Sequence, residues 1–372
     1  MNRSILVTGG AGFIGSHLVD ALEKAGHDVR VLDSFHPQVH PTRPEYLRDN
    51  VEYIQGDVHN PDDLARALRD IEVIYHEAAL VGVGQSMYQI HDYVDANVGG
   101  TAQLLDYLAN KDHEVRRLLV ASSMSLYGEG RYSCTNCGIV SPPPRPEGQL
   151  KAKQWEMKCP SCARILAPFP TDEAKPAQCT SIYAQSKKDQ EEYCLLAGKA
   201  YGIPTVALRY FNTYGPRQSL SNPYTGVCAI FQSRIKNQEP PLIYEDGRQT
   251  RDFVAVEDIV QANLLALEKP AADYEVFNVG TGRPTSVLEV CETLAVLYKS
   301  KVEPQVENAY RVGDIRHCYA DISKIQRVLG YKPKVSLQRG LGKLVQWGQK
   351  APAKDTFEKA ARELAKRGLI RR

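Results

Sequence analysis

Residues 4–33 have the sequence SILVTGGAGFIGSHLVDALEKAGHDVRVLD, in which an apolar run, a glycine-rich turn, an amphipathic segment and a second apolar run follow one another. The glycines allow a tight turn, a close approach of the backbone to a pyrophosphate, and a helix whose N-terminus faces that negative charge. Glycine-rich turns are common, but this one lies between a strand pattern and a helix pattern. The stretch therefore predicts a βαβ unit that binds a dinucleotide through Gly9, Gly12, Phe13, Ile14 and Gly15.

The second strand of this unit ends in Asp33. A carboxylate there accepts hydrogen bonds from the adenosine ribose hydroxyls and repels a 2′-phosphate, which favours NAD over NADP. A strand-end aspartate that caps a turn is the alternative. Two later strand ends extend the predicted cofactor site, with Asp57 and Val58 at the adenine edge and Ala78 and Ala79 beside the nicotinamide half.

Short apolar runs alternate with amphipathic stretches as far as Gly215. The runs SILVT, DVRVLD, VEYIQGD, EVIYHEA, RRLLVASS and PTVALRY are typical of strands, and their alternation with helical patterns predicts an α/β fold with a Rossmann-type, doubly wound parallel sheet. Beyond Gly215 the pattern loosens, as expected of a smaller domain over the ligand edge of the sheet. We expect an NAD-binding domain over 1–215, interrupted by an insertion at 130–178. A substrate domain should follow, mainly over 216–350 with some segments returning to the first domain, and then a basic, helical tail over 351–372.

The chain has 372 residues and a net charge of +2, which is too small to favour nucleic acid as a main partner. Neither a secretion signal nor an apolar run of the roughly 18 residues that a membrane span needs is present, so we expect a cytoplasmic protein with no membrane partner. Residues 351–372 hold seven Lys/Arg and three Asp/Glu. Their apolar spacing predicts a short surface helix that is solvated or docks a subunit.

Four of the nine cysteines form two CxxC pairs, Cys134 with Cys137 and Cys159 with Cys162, separated by 21 residues. In a reducing compartment this spacing predicts a four-cysteine zinc site, with disulfides or free thiols as the alternative. Four thiolates complete a tetrahedral shell, so the zinc would be structural and would staple a segment too polar to bury a core. The five scattered cysteines are expected in or near the core.

The apolar run RRLLVASS ends in serines, and Tyr183 and Lys187 open a later stretch with helical periodicity. Residues four apart share a helix face, so the ammonium can lie beneath the phenol. A free phenol titrates near 10, and a base that works at neutral pH needs this pKa lowered by a few units. A nearby ammonium and a positive nicotinamide both favour the phenolate.

Taken together, TGGAGFIG, HEAA, SSMSLYG, YAQSK, LRYFNTYGPR and RDFVAVEDI closely resemble the extended short-chain dehydrogenase/reductase family, in particular its nucleotide-sugar epimerases and dehydratases. The resemblance runs from about residue 4 to about residue 348. Only the cysteine segment and the basic tail fall outside it.

The resemblance implies that Ser123 is the catalytic Ser/Thr, that Tyr183 is the base, and that Lys187 supports the base and orients the cofactor ribose. Asn97, on a helix beneath the site, is implied on the cofactor side. The segments 81–87 and 221–227 should flank the hexose. The substrate residues expected on these grounds are Gly84, Ser125, Asn212, Arg251, Arg311 and Asp314. Two arginine forks suit a diphosphate, although either could instead form a surface ion pair.

The residues after Ser123 distinguish among the reactions of this family. Its 4,6-dehydratases place Asp-Glu there, and its decarboxylating members place Glu at the position of Ser125, whereas this chain has Met124 and Ser125. A thioether and an alcohol are poor acid/base groups for eliminating water. We therefore expect an NAD-dependent epimerase that inverts C4 of a nucleotide-diphosphate hexose, a dTDP-6-deoxyhexose or a UDP-hexose, through a transient 4-keto sugar.

Four alternatives stay open at this stage. The chain could be a ketoreductase, decarboxylase or dehydratase of the same family, or more distantly an NAD-sensing regulator whose zinc ribbon binds nucleic acid or a protein. The resemblance also implies a homodimer formed by helices near 90–109 and 183–201. We further expect the cysteine segment to pack over the mouth of the sugar site.

Overall fold

A computed structural model describes residues 2–371 of the chain. Its strands are β1 (Ser4–Thr8), β2 (Asp28–Asp33), β3 (Glu52–Gln55), β4 (Val73–His76), β5 (Arg117–Ser123), β6 (Arg131–Cys134), β7 (Gly138–Val140), β8 (Ala167–Phe169), β9 (Thr205–Tyr210), β10 (Asn212–Tyr214), β11 (Leu242–Ile243), β12 (Thr250–Arg251), β13 (Phe253–Ala255), β14 (Val276–Val279), β15 (Thr285–Ser286), β16 (Gln305–Val306), β17 (Tyr310–Arg311), β18 (His317–Cys318) and β19 (Ile370–Arg371).

The α-helices are α1 (Phe13–Lys24), α2 (Pro61–Ala67), α3 (Val83–Ser86), α4 (Ile90–Val94), α5 (Gly100–Asn110), α6 (Glu147–Lys151), α7 (Ile182–Tyr201), α8 (Val227–Lys236), α9 (Val256–Glu268), α10 (Val287–Tyr298), α11 (Ser323–Leu329), α12 (Leu337–Lys350) and α13 (Phe357–Lys366). A π-helical turn, Asp95–Gly99, joins α4 to α5. Among the described residues no helix is both long enough and apolar enough to span a bilayer.

Seven strands form one parallel sheet in the order β14-β9-β5-β4-β1-β2-β3. From β1 the chain winds outward through β2 and β3, and from β4 it winds the other way through β5 and β9. The carboxyl ends of β1 and β4 therefore flank the switch point where doubly wound sheets bind ligands. The predicted fold class is confirmed, and the six predicted strands are β1 to β5 and β9.

The alternation of side chains along β1 explains why its sequence is apolar throughout. Ile5 and Val7 pack into the core beneath α1 and α9, whereas Leu6 packs into the core beneath α5 and α7. All three side chains are fully buried. Burial of each such side chain contributes about 1.5–3 kcal/mol to the free energy of unfolding, so a polar residue on either face would be costly.

Two further units carry residues of interest. Helices α8, α10 and α12 pack with β10 and β13 around a third apolar cluster that includes Phe231, Phe253 and Leu344. The cysteine ribbon, residues 130–178, forms a three-stranded sheet in the order β7-β6-β8. Its small core contains Tyr132 and Met157 besides two of the cysteines.

Candidate active site and metal centre

The glycine turn between β1 and α1 lies against the end of β4. A side-chain carbon at Gly9, where φ is +69°, would lie 2.9 Å from the Cα of Ala78, and one at Gly15 would lie 2.3 Å from the carbonyl oxygen of Gly9. Gly12 is the N-cap of α1. Only glycine allows these approaches, so the structure brings Gly9, Gly15 and Ala78 of the predicted cofactor site together.

Asp33 is buried beside this turn, and both of its carboxylate oxygens have backbone partners. Oδ2 accepts a hydrogen bond of 3.0 Å from the N–H of Ala11, and Oδ1 accepts one of 2.8 Å from the N–H of Phe35. The aspartate thus caps its own turn and also fixes the glycine turn. Each oxygen keeps a second lone pair for a ribose hydroxyl, so the two roles are compatible.

The other predicted adenine-side residues are less enclosed. Asp57 is exposed, and its Oδ1 accepts hydrogen bonds from the N–H of His59 at 3.0 Å and faces its Nδ1 at 2.9 Å. Val58 is buried against Gly100. The next predicted residue along the chain, Ala79, is half-buried at the end of β4.

Ser123 and Tyr183 meet at the carboxyl end of β5. Ser123 ends this strand, and its Oγ accepts hydrogen bonds from the N–H of Ser125 at 3.2 Å and from the Oγ of Ser125 at 2.9 Å. Burial raises the pKa of Tyr183, and a hydrogen bond with Ser123 partly opposes this rise. The protein alone therefore does not lower the pKa of Tyr183 as expected, because burial raises this pKa more than the hydrogen bond with Ser123 lowers it.

The Lys187 ammonium is buried one helical turn beyond Tyr183, where burial lowers its pKa to about 8 and the carboxyl of Glu77 opposes that change. Its Nζ donates to Oε1 of Gln190. Burial destabilises an ammonium that has no counterion at close range. A bound ligand that offers a hydrogen-bond acceptor at the site would therefore stabilise the charged form of Lys187.

A chain of buried polar side chains continues from Lys187 across the sheet to the glycine turn. Nε2 of Gln190 donates to Oγ1 of Thr101 at 2.9 Å, and Thr101 lies 3.0 Å from Nε2 of His76. Nδ1 of His76 lies 2.8 Å from Oγ1 of Thr8. The sequence reasoning did not identify Gln190, Thr101 or Thr8. The spacing of Gln190, one helical turn after Lys187, was the available signal.

Glu77, in the segment HEAA, is a fourth residue that the sequence did not single out. Burial raises the pKa of its carboxyl to about 7, and its Oε1 accepts a hydrogen bond of 2.7 Å from the hydroxyl of Tyr210. Glu77 and Lys187 each affect the pKa of the other, so the charge of the carboxyl stabilises the ammonium.

Asn97 lies in the π-helical turn, a distortion that is frequent at functional sites. Its amide is fully buried and holds both the N–H of Leu80, at 2.7 Å, and the carbonyl of Leu80, at 3.1 Å. It also donates to Oγ of Ser186 at 2.9 Å. Asn97 therefore joins the segment after β4 to α7, which positions the backbone on which the cofactor was predicted to lie.

The predicted diphosphate residues lie on neighbouring segments. The N–H of Asn212 donates to the carbonyl of Asp252 at 2.9 Å, while its side-chain Oδ1 is buried without a partner. Arg251 donates to the carbonyls of Thr250, Ile315 and Arg316 at 2.7–3.0 Å. Three of its five N–H groups are thus used by the backbone, which leaves two for a ligand.

Arg311 is more available than Arg251. Its Nε donates to Oδ2 of Asp314 at 2.8 Å, and its guanidinium stacks 5.3 Å from the ring centroid of Tyr244. A guanidinium held at Nε and on one face still presents its terminal N–H groups as a fork. The structure therefore pairs Arg311 with Asp314 and brings the segment they occupy beside Arg251.

The four predicted metal ligands form one cluster. The sulphur atoms of Cys134, Cys137, Cys159 and Cys162 all lie within 4.8 Å of one another. A tetrahedral zinc site with bonds of about 2.3 Å requires sulphur separations of roughly 3.8 Å. The residues that follow the two pairs, Gly138 and Ala163, have positive φ values of 75° and 59°, so each pair ends in a tight turn. The donor set fits zinc, and all nine cysteines are free.

The ribbon is attached to the main body by a buried ionic cluster that the sequence did not predict. Arg145 donates to both carboxylate oxygens of Glu245, at 3.0 and 2.8 Å, and Arg316 donates to the same carboxylate at 2.9 Å. The N–H of Arg316 donates to Oε1 of Glu129 at 2.7 Å. The Nη2 of Arg145 also reaches the carbonyl of Asp314, at 3.3 Å. The ribbon therefore contacts the segment that carries Arg311, and its packing over the mouth of the sugar site stays a prediction.

Placed on this sheet, the buried serine, tyrosine and lysine define an enzyme of the extended short-chain dehydrogenase/reductase class. Sequence profiles agree. The NAD dependent epimerase/dehydratase family profile matches residues 5–148, and the GDP-mannose 4,6 dehydratase profile matches residues 166–344. The chain is 36% identical over 349 residues to dTDP-L-rhamnose 4-epimerase of Burkholderia thailandensis, which covers 93% of this chain and 94% of that one. The protein belongs to the NAD-dependent epimerase/dehydratase family.

Solved structures show the same relationship over more than nine-tenths of the chain. The UDP-glucose 4-epimerase of Thermotoga maritima, solved with UDP-glucose, superposes with a TM-score of 0.76 at 32% identity and covers 93% of this chain and 99% of its own. The UDP-glucose 4-epimerase of Thermus thermophilus, solved with NAD, gives 0.75 at 30% identity, with coverage of 94% and 100%.

Proposed function

We propose that the protein is an NAD-dependent epimerase that inverts C4 of a nucleotide-linked hexose. The observation that carries this proposal is the contact of Ser123 with Tyr183 at the end of β5, where Met124 and Ser125 follow instead of a carboxylate. This arrangement supplies one acid/base group for a hydroxyl and no second pair for removing water. The kinship with 4-epimerases supports it.

In this proposal Tyr183 takes the proton of the 4-hydroxyl and later returns it. Ser123 donates a hydrogen bond to the same sugar oxygen, and the Lys187 ammonium stabilises the phenolate. NAD, when bound, supplies the hydride acceptor that becomes the donor in the second half of the reaction. The positive charge of the oxidised ring also opposes the rise in pKa that burial gives to Tyr183. Asp33 and the glycine turn would hold the adenosine and pyrophosphate.

Inversion requires the keto sugar to turn over while its nucleotide stays fixed. Asn212, Arg251 and Arg311 are the groups we assign to the diphosphate, with Asp314 beside Arg311. The free fork of Arg311 supports this assignment. Neither sugar-flanking segment, 81–87 or 221–227, contains Arg or Lys for a uronate carboxylate, which favours a neutral or deoxy sugar.

We assign a structural zinc ion to the four clustered cysteines. Four thiolates leave no open coordination position, so the ion would fold the ribbon and take no part in the reaction. Free thiols persist in a reducing compartment, which is consistent with a cytoplasmic enzyme.

We also propose a homodimer formed through α4, α5 and α7. Exposed apolar side chains on these helices, Ile90, Val94, Tyr193 and Leu196, support it, with Leu196 65% exposed. Apolar side chains at this exposure are typical of a face that packs against another chain.

A panel of UDP- and dTDP-linked hexoses and 6-deoxyhexoses tests the reaction. The parent enzyme should invert C4, measured by NMR of the recovered sugar, without net NADH formation. Tyr183→Phe should lose about 10²–10⁴-fold in turnover while keeping its bound NAD, since only the proton transfer is removed. Net NADH turnover would indicate a ketoreductase, and release of CO₂ a decarboxylase. A Tyr183→Phe enzyme as fast as the parent would refute the mechanism.

A further inference from the structure

The C-terminal tail, residues 351–371, contacts three segments on which the proposed substrate site depends. In α13 Leu364 is buried, and its two Cδ atoms lie 3.3 and 3.4 Å from the position that a side-chain carbon on Gly84 would occupy. Gly84 belongs to segment 81–87. The leucine is thus packed directly on the backbone of the first sugar-flanking segment.

The tail also contacts the second sugar-flanking segment, residues 221–227. Oγ1 of Thr356 donates to the carbonyl of Ser221 at 2.8 Å, and the N–H of Lys354 donates to its Oγ at 3.0 Å. Just beyond α13, the guanidinium of Arg367 stacks 4.5 Å from the ring centroid of Tyr88. The hydroxyl of Tyr88 lies 2.5 Å from that of Tyr224, so one arginine covers a tyrosine pair that links the two sides.

The end of the tail continues to the nucleotide side of the site. Strand β19 pairs antiparallel with β17, so Ile370 lies opposite Arg311. The N–H of Val312 donates to the carbonyl of Leu369 at 2.9 Å, and Arg371 forms an ion pair of 2.5 Å with Glu147 of the ribbon. The tail therefore spans from the sugar-flanking segments to the strand that carries the proposed diphosphate fork.

The tail is anchored before it reaches the site. Arg234 of α8, almost fully buried, donates to Oδ2 of Asp355 at 2.9 Å and stacks 5.3 Å from the ring of Phe357. A segment held at its start, at its middle and at its end has a fixed place in the fold. The tail contains a helix, as the sequence predicts, and its docking against a second subunit stays a prediction.

We propose that the tail forms an outer wall of the nucleotide-sugar site, holds the two sugar-flanking segments together and retains the keto sugar while it turns over. This inference rests on the proposed epimerase function. After C4 is oxidised, the electrons reside on NADH and the sugar carries a ketone. If the ketone leaves before the hydride returns, the enzyme is left with NADH bound and one keto sugar free in solution. Loss of the wall should therefore uncouple oxidation from the return step.

The test compares the full chain, a form that ends at residue 350, and the point variants Leu364→Asp and Lys366→Gln. In the form that ends at residue 350 and in Leu364→Asp, KM for the nucleotide sugar should rise by about tenfold, equal to ~1.4 kcal/mol of binding free energy. NADH should accumulate at 340 nm, while the total amount of bound cofactor, NAD plus NADH, stays at the parental value. Lys366→Gln, which removes an exposed charge from the same helix, should behave as the parent does.

Calorimetric titration with UDP and dTDP separates the possible failures. The full chain should bind one of these nucleotides, and the form ending at residue 350 should bind it more weakly because Arg311 loses its partner strand. An active full chain whose shortened form and Leu364→Asp variant keep KM within twofold and accumulate no NADH overturns the role of the tail. A full chain that binds neither nucleotide and converts no sugar of the panel refutes the epimerase assignment, and this inference with it.

Discussion

Replacement of Glu245 by Gln should loosen the cysteine ribbon from the body of the enzyme. The carboxylate is 3% exposed and accepts hydrogen bonds from two buried guanidiniums, those of Arg145 and Arg316. An amide would remove the negative charge and place N–H groups against N–H groups. Breaking a buried ion pair by removing one partner costs about 3–5 kcal/mol.

The lower end of that range applies here, because one of the two arginines keeps another close carboxylate partner after the substitution. Arg316 retains Asp246, at 2.7 and 3.0 Å. Arg145 retains only the distant Glu129, at 3.9 Å, among its carboxylate partners within the described residues. A loss of about 3 kcal/mol corresponds to an opening equilibrium roughly 150-fold larger.

Hydrogen exchange measured by mass spectrometry reads this opening directly. The N–H groups of Gly130, Thr171 and Asp321 bridge the ribbon and the body, and each is hydrogen-bonded across that boundary. Under conditions where exchange follows the opening equilibrium, their rates should rise by about two orders of magnitude in Glu245→Gln. Peptides from β1 should keep their rates. Arg145→Met should have a smaller effect, since Glu245 keeps Arg316.

Glu292→Gln is the matched control, because it removes the same charge from an exposed position on α10. Its boundary amides should exchange at the parental rate. An increase of less than fivefold in Glu245→Gln would refute the reasoning, since it would mean that the ionic cluster contributes little to holding the ribbon in place.

Three further predictions concern the site and the metal. Turnover should fall as pH rises through about 8, where the buried Lys187 loses its proton. Glu77→Gln should move this decline to lower pH, because the carboxylate no longer raises the pKa of the ammonium. The pH–rate profiles of both enzymes test this, and a decline at the same pH in both would contradict it. Gln190→Leu should lower turnover by about tenfold, since the Lys187 ammonium left without its acceptor is destabilised by about 1–3 kcal/mol. Gln185→Leu, at an exposed position of the same helix, should leave turnover unchanged. Steady-state kinetics of variants with equal NAD content test both expectations. The purified protein should hold one zinc ion per chain by elemental analysis, and Cys137→Ser should lose it while β1 amides stay protected; a zinc-free parent with all thiols titratable would remove the metal assignment.

Much of the cofactor end follows from local sequence. The glycine spacing, the apolar alternation of β1 and the acid at the end of β2 are each satisfied within residues 4–33, because turn geometry and strand burial act over short distances. Each CxxC pair is likewise a local feature of the sequence. Only the approach of one pair to the other depends on the fold. The separation of Tyr183 and Lys187 likewise follows from helix geometry alone.

The surroundings of these groups depend on contacts between segments distant in sequence. Tyr183 and Lys187 have pKa values shifted by burial, and burial depends on α7 packing against β5, which no spacing within the helix reveals. Glu245 and Arg145 are 100 residues apart, and each is charged and would be expected at the surface if judged alone. The position of the tail could not be predicted from the sequence for the same reason. Its helix could be anticipated from its own residues, but its place over Gly84 and beside Arg311 depends on contacts with segments up to about 280 residues away, and complementary surfaces distant in sequence leave no periodic signal in either one.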